Sequence, residues 1–169
     1  MRRILVAVAP ALVVVALVVP RAVGGVRHAS PPPPVEASPV APTGVGDVEH
    51  LTPALKRSVD RAIEAARAEG VALAVTSGWR SAEHQQRLFD DAVRKYGSRT
   101  VARQWVLPPS ESAHVRGEAV DVGPPSGASW LETNGVRFGL CRRYANEPWH
   151  FERLAAAKGS RCPTLQPHA

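Results

Sequence analysis

Cysteine is scarce in this chain: Cys141 and Cys162 are the only two among 169 residues. Neither sits in a C-x-x-C pair, which argues against a Cys-His metal knuckle. Aromatic residues make up 5% of the chain, and no cluster of lysine and arginine is interleaved with them. The formal charge of +6 is inflated by Arg2, Arg3, Arg21 and Arg27, which lie in a leader whose only acid is Glu36. From residue 46 onward 17 basic and 14 acidic residues remain. That balance leaves no basic stripe and argues against a nucleic-acid partner, while an anionic cell-envelope surface suits it as well. The long apolar run is also limited, with sixteen uncharged residues from Ile4 to Val19, short of the about 20 that a membrane span requires. No internal repeat is visible.

The first 45 residues differ from the rest. Arg2 and Arg3 followed by the apolar run have the layout of an export signal. Ala22 and Gly24 offer an imperfect cleavage site, so residues 1–27 read as a signal that is either removed or kept as an N-terminal anchor. Residues 28–45, rich in proline, alanine and serine, read as an extended linker. One folded domain is expected over 46–169. In an exported chain, an even cysteine count favours a Cys141–Cys162 disulfide tying the C-terminal tail to that domain. Closing such a loop contributes about 3 kcal/mol in the chain-entropy picture. Oligomeric state is not encoded in any feature of the sequence.

Within the domain, Thr52 and Pro53 have the order of an N-cap and a first-turn proline. Leu55, Val59, Ile63 and Ala66 then recur at helical spacing until Gly70. The apolar run of residues 71–78 suits a central strand. A second helix runs from about Ser81 to Gly97 with Leu88, Phe89, Ala92, Val93 and Tyr96 on its apolar face, and Gln85 falls on that same face. An inward amide needs a partner, either loop backbone or substrate. A short helix is expected over 101–106, and Pro108 with Pro109 then imposes an extended loop that delivers Ser112 and His114. Residues 117–123 alternate, with Val120 and Val122 on one face and Ala119 and Asp121 on the other. Ser129 is expected to cap a helix from Trp130 to Asn134, closed by Gly135. Residues 149–153 alternate again, Trp149 and Phe151 against His150 and Glu152. The implied fold is α+β, a small and partly antiparallel sheet packed against the two longer helices.

Asp121 and His150 thus occupy strands whose other face is core, and His114 stands on a loop just before the first of them. Two imidazoles and a carboxylate make a three-ligand zinc set with a fourth position open. The alternative is a core His–Asp pair with His150 unrelated. Glu147, three residues before His150 and separated from it by Pro148, can stand beside such a metal as a general base; otherwise it is an exposed loop acid. Arg80, just past a strand end, offers a planar cationic fork to a substrate carboxylate or an oxyanion, or else is a surface arginine.

Four pieces in order carry a specific resemblance: SGWRS at 77–81 with Gln85 following; Ser112, His114, Gly117, Ala119 and Asp121 in the pattern S-x-H-x-x-G-x-A-x-D; FGL at 138–140; and EPWH at 147–150. Over about residues 50–155 the chain resembles the zinc D-alanyl-D-alanine carboxypeptidases of the VanY type. Their relatives include VanX-type dipeptidases, phage endopeptidases that cut L-Ala–D-Glu bonds, and a hedgehog-like domain. The resemblance implies Zn2+ held by His114, Asp121 and His150, Glu147 as catalytic base, Arg80 at the scissile carbonyl and substrate carboxylate, and Gln85 and Ser112 as substrate contacts. It implies an exported peptidase that trims the terminal D-alanine of peptidoglycan stem peptides. The rivals are an endopeptidase or dipeptidase of the same family and a non-catalytic zinc domain that binds the wall. Two departures stand out, Trp79 where tyrosine is common and the cysteine pair, and neither falls in the implied catalytic set.

Overall fold

A computed structural model describes residues 48–154 and 161–169. The expected export signal and linker, residues 1–45, lie outside the described residues. The first helix, α1 (Pro53–Ala68), begins as its sequence predicts: Thr52 Oγ1 accepts from the backbone N–H of Leu55, and the proline stands in the first turn. Its buried residues are Leu55, Ser58, Val59, Ala62 and Ala66, one stripe at helical spacing. Strand β1 (Ala74–Ser77) follows, then α2 (Ala82–Tyr96), capped by Ser81 and ended by Gly97 in the left-handed conformation. A one-turn helix, α3 (Arg99–Ala102), starts at the Ser98 cap, a little before the expected position. After a long loop come β2 (Ala119–Gly123), α4 (Pro125–Asn134), β3 (Leu140–Arg142) and β4 (His150–Arg153).

The four strands form one antiparallel sheet in the order β1-β2-β4-β3. The expected α+β class with a small sheet is therefore what the chain adopts. One face carries Val120, Val122, Leu140 and Phe151 against Leu55, Val59, Ala62 and Ala66 of α1 and Ala128 and Leu131 of α4. Burying each of the larger side chains removes enough apolar surface to contribute roughly 1.5–3 kcal/mol. The other face carries Asp121 and His150, directly paired across β2 and β4.

Several expectations need correction. The run 71–78 is an edge strand rather than a central one, because its large residues alternate with alanines: Leu73 is buried and Val71 and Val75 pack on the core, while Ala72 and Ala74 are exposed. The α2 helix does not share the sheet's apolar face with α1. It builds a second small cluster from Phe89 and Ala92 with Ala102 of α3. Helix α4 begins at Pro125, not at Trp130, so Ser129 lies inside it and caps nothing. Proline at its first position needs no hydrogen-bond partner for a missing N–H, and the Pro124–Pro125 pair disguised the start as loop. Gly135 keeps right-handed geometry; a side chain there is forbidden instead by the Leu140 carbonyl, 2.5 Å from where a Cβ would stand. The prolines 108 and 109 lead into a turn, with Pro108 O accepting from Glu111 and Ser112 N–H groups. Trp149 precedes β4 and is exposed, so it does not join Phe151 in the core.

Gly117 closes the loop that carries His114. Its φ of +67° is in the left-handed region, and a Cβ would lie 2.4 Å from the His50 carbonyl oxygen. Its own carbonyl accepts from the Thr52 N–H at 2.9 Å, which joins this loop to the start of α1. Gly117→Ala is expected to lower unfolding free energy by about 2 kcal/mol or more, through combined backbone strain and overpacking. Urea denaturation of the purified variant checks this.

Candidate active site

The site is assembled by two strands and one loop. Asp121 and His150 come from the paired positions of β2 and β4. His114 comes from the loop before β2, which is stitched to the segment after β1. The Arg80 N–H donates to His114 O at 3.3 Å, and the indole N–H of Trp79 donates to Val115 O at 3.2 Å. A register shift between Val75 and Ser77 sets Ser77 opposite Asp121, the kind of local irregularity that re-aims side chains beside a site.

All three candidate ligands are buried, with 4% of His114, 8% of Asp121 and 4% of His150 exposed. His114 Nδ1 lies 2.6 Å from Gly78 O. A carbonyl only accepts, so that nitrogen carries the proton and Nε2 keeps its lone pair. His150 has a carboxylate beside each ring nitrogen, Glu152 3.2 Å from Nε2 and Asp121 3.2 Å from Nδ1; with the proton on Nε2 toward Glu152, Nδ1 keeps its lone pair. These two lone-pair nitrogens face each other at 3.2 Å. Asp121 Oδ1 completes the group, 3.3 Å from His114 Nε2 and 3.2 Å from His150 Nδ1. Three acceptors turned toward one point repel unless a cation or a proton lies among them. The edges also match a tetrahedral zinc shell, in which ligand distances of about 2.0–2.1 Å give ligand–ligand separations of about 3.3–3.4 Å. The residues present therefore fit a zinc ion.

The surrounding charges agree. Burial alone would raise the Asp121 pKa, but the Arg80 guanidinium, and the His114 and His150 rings whenever a proton rather than a metal lies between them and the carboxylate, outweigh it and hold this carboxyl well below the usual range. Burial would lower the His150 pKa, yet hydrogen bonds to Asp121 and Glu152 and the charges of Asp121 and Glu147 raise it to about 9. Carboxylates around this ring thus favour positive charge at the point where the lone pairs meet. Glu147 Oε2 stands 3.7 Å from His150 Nδ1. Burial pushes its carboxyl up to about 7; His150 and Arg80 pull it down and the Asp121 and Glu152 carboxylates push it up.

Arg80 is not a free surface residue. Its Nη2 donates to Asp121 Oδ2 at 2.6 Å, its Nε to Ser77 Oγ at 3.1 Å and its Nη1 to Gln85 Oε1 at 3.4 Å. Three of its five N–H donors are engaged, which leaves two for an anion. The buried Gln85 donates to Leu107 O at 2.7 Å, so both ends of its amide have protein partners, and loop backbone is one of them. Arg80, Gln85, Ser112, Glu147 and the three ligand candidates all line one cavity of about 220 Å³, with Trp149 and Tyr144 on its wall. The structure therefore gathers every residue singled out for the site. Cys141 and Cys162 form the expected disulfide.

Glu152 was not singled out by sequence reasoning. A carboxylate that orients a metal-binding imidazole lies two residues from it on the same strand face, so the period of two that exposed His150 could have found it. Arg143 Nε is 3.4 Å from the Glu152 carboxylate, an ion pair made by charge contact alone.

Residues 48–155 match the family described as VanY, D-alanyl-D-alanine carboxypeptidase. A D-alanyl-D-alanine carboxypeptidase of Enterococcus faecalis is 36% identical, over 52% of this chain and 42% of that protein. The chain thus spans less than half the length of this relative. A mutant of the vancomycin-resistance D,D-pentapeptidase VanY from a VanB-type cassette, solved with Zn(II), superposes with a TM-score of 0.58 at 30% identity, over 65% of this chain and 75% of that one. VanYB in complex with D-alanine-D-alanine gives 0.57 at 31%, over 61% and 71%.

Replacing Glu152 by Gln is expected to weaken zinc binding by about 10- to 100-fold, the usual cost of losing a carboxylate behind a metal-binding histidine. Competition with a chromophoric chelator measures it, and circular dichroism should show the fold retained. In the same assay His150→Ala should bind no stoichiometric zinc.

Proposed function

The chain belongs to the VanY D-alanyl-D-alanine carboxypeptidase family, and from that membership we propose that it is an exported zinc metallopeptidase removing the terminal D-alanine of peptidoglycan stem peptides. The observation that carries the reading is the convergence of three lone-pair atoms, His114 Nε2, Asp121 Oδ1 and His150 Nδ1, on one point with Glu147 3.7 Å from His150. A core His–Asp pair has no need of a third ligand or of a buried acid beside it.

When bound, zinc supplies Lewis acidity that polarises a carbonyl and acidifies water. His114, Asp121 and His150 would hold the ion, with Gly78 O and Glu152 orienting the two imidazoles. Glu147 takes a proton from the attacking water at its carboxylate and returns it to the departing amine. Its partly buried position keeps the carboxyl poised for both directions of transfer. Arg80 offers its two spare N–H donors to the substrate's terminal carboxylate or to the oxyanion that develops on the scissile carbonyl. Its contacts with Asp121, Ser77 and Gln85 hold the guanidinium in place before substrate arrives. Gln85 therefore acts mainly by orienting Arg80, while Ser112, buried at the cavity wall, is a candidate contact for the peptide itself.

Two supports for a substrate outside the membrane come from the chain. The leader of residues 1–27 has the layout of an export signal, retained or removed, and the disulfide belongs to an oxidising compartment. A peptidoglycan stem peptide is the partner in this reading.

The test is mass spectrometry of products from the zinc-loaded protein incubated with a pentapeptide stem ending in D-alanyl-D-alanine, beside a chelated control. Metal-dependent loss of one alanine is expected; an internal cut would move the reading to the endopeptidase branch, and loss of a dipeptide to the dipeptidase branch. No cleavage by zinc-loaded protein would favour the wall-binding reading. A tetrapeptide ending in a single D-alanine shows whether the residue before the bond must also be D. Glu147→Gln is expected to keep zinc and lose at least about 100-fold in turnover, in line with removal of a general base; full activity in that variant would reject the role.

A further inference from the structure

The cavity over the ligand set continues beyond the catalytic residues. A second cavity, of about 460 Å³, shares Leu107, Tyr144 and Ala169 with the first, so the two form one groove. One wall of this extension comes from the far end of the chain, where Gln166 and His168 line it. That segment is fixed in two independent ways. Cys162 is bonded to Cys141 in β3. Gln166 is clasped by the backbone beside Tyr144, its N–H donating to Arg143 O at 2.9 Å and its carbonyl accepting from Ala145 N–H at 2.7 Å.

The facing wall comes from α3 and the loop after it, through Thr100, Arg103, Gln104 and Glu111. Arg103 is paired with Glu111, so this wall presents no isolated charge. Hydroxyl and amide groups of Thr100, Gln104, Tyr144 and Gln166, which both donate and accept hydrogen bonds, line the groove beside the paired Arg103 and Glu111, the apolar Leu107, and His168 and Ala169. That composition matches the alternating N–H and C=O of a peptide backbone better than it matches a phosphate or another compact anion.

We infer that residues 161–169 are a substrate-positioning wall, and that together with α3 they form a subsite for the peptide residues upstream of the scissile bond. The inference rests on the carboxypeptidase reading. An enzyme that removes one terminal residue keeps only that residue on the leaving side, so a groove of this size is open to the acyl side alone. The disulfide and the Gln166 clasp hold this wall at the cavity edge, and specificity for a longer peptide depends on both.

The experiment compares two substrates, an N-acetylated D-alanyl-D-alanine dipeptide and a pentapeptide stem ending in the same pair, on the full zinc-loaded chain. It uses wild type, the double variant Gln166→Ala with His168→Ala, and Cys141→Ser with Cys162→Ser. Gln166 and His168 are exposed, so the first variant should fold normally, and its melting temperature verifies that independently of the cysteine variant. The expected result is about a five- to tenfold rise in KM for the pentapeptide, the effect of losing one or two hydrogen bonds, with kcat unchanged and the dipeptide unaffected. The cysteine variant should show the same length-dependent loss. Equal effects on both substrates, or none on either, would overturn the inference while leaving the carboxypeptidase reading intact. Wild-type protein inactive on both substrates would reject that reading, and this inference with it.

Discussion

A buried carboxylate between two strands is the constraint around which this domain is arranged. Asp121 sits in the central part of the sheet, and an isolated charge there would cost several kcal/mol. Its cost is met from every side. Arg80 covers one oxygen, and the second faces the two histidine nitrogens. Each of those histidines is in turn oriented by a fixed acceptor, Gly78 O or Glu152. Removing any partner would leave charge or lone pairs uncompensated in a poorly solvated place, so the arrangement is interdependent. The α+β scaffold supports it by devoting one face of the sheet to apolar packing and the other to this polar group.

Much of this was legible in the chain because the sheet imposes a period of two. Val120 and Val122 against Asp121, and Phe151 against His150, announce which side is core. The loop histidine stood close before Asp121 in the chain, but spacing alone left a core His–Asp pair open, and the family resemblance made His114 a ligand. Helix caps at Thr52, Ser81 and Gly97 were equally plain, since a side-chain acceptor or a left-handed glycine has a local cause. The same resemblance supplied the roles of Glu147, Arg80, Gln85 and Ser112, which spacing alone left open.

Other features depended on contacts between distant parts of the chain and had no local signature. The start of α4 was hidden because two adjacent prolines look like loop, and because Gly127 is needed for close approach to the Ala72 carbonyl, 2.4 Å from where its Cβ would stand. The edge position of β1 was masked by alanines that count as apolar yet tolerate solvent. Cysteine parity indicated a tethered tail, but not that Gln166 and His168 would reach the cleft. That placement follows from the pairing of Gln166 with Tyr144, twenty-two positions away, which no short motif records.

The direct pairing of Asp121 with His150 ties the accuracy of the site to the accuracy of folding. A slip of one residue between β2 and β4 would turn His150 and Glu152 into the apolar layer and Phe151 out toward the cavity. Such a misalignment would forfeit core burial at the same moment as it scattered the candidate metal ligands. Misregistered molecules would therefore be unstable as well as without the ligand group, and more open to proteolysis than correctly paired ones. A chain with this layout screens its candidate site through its core, because the register that packs Val120 and Phe151 is the same one that brings Asp121 and His150 together.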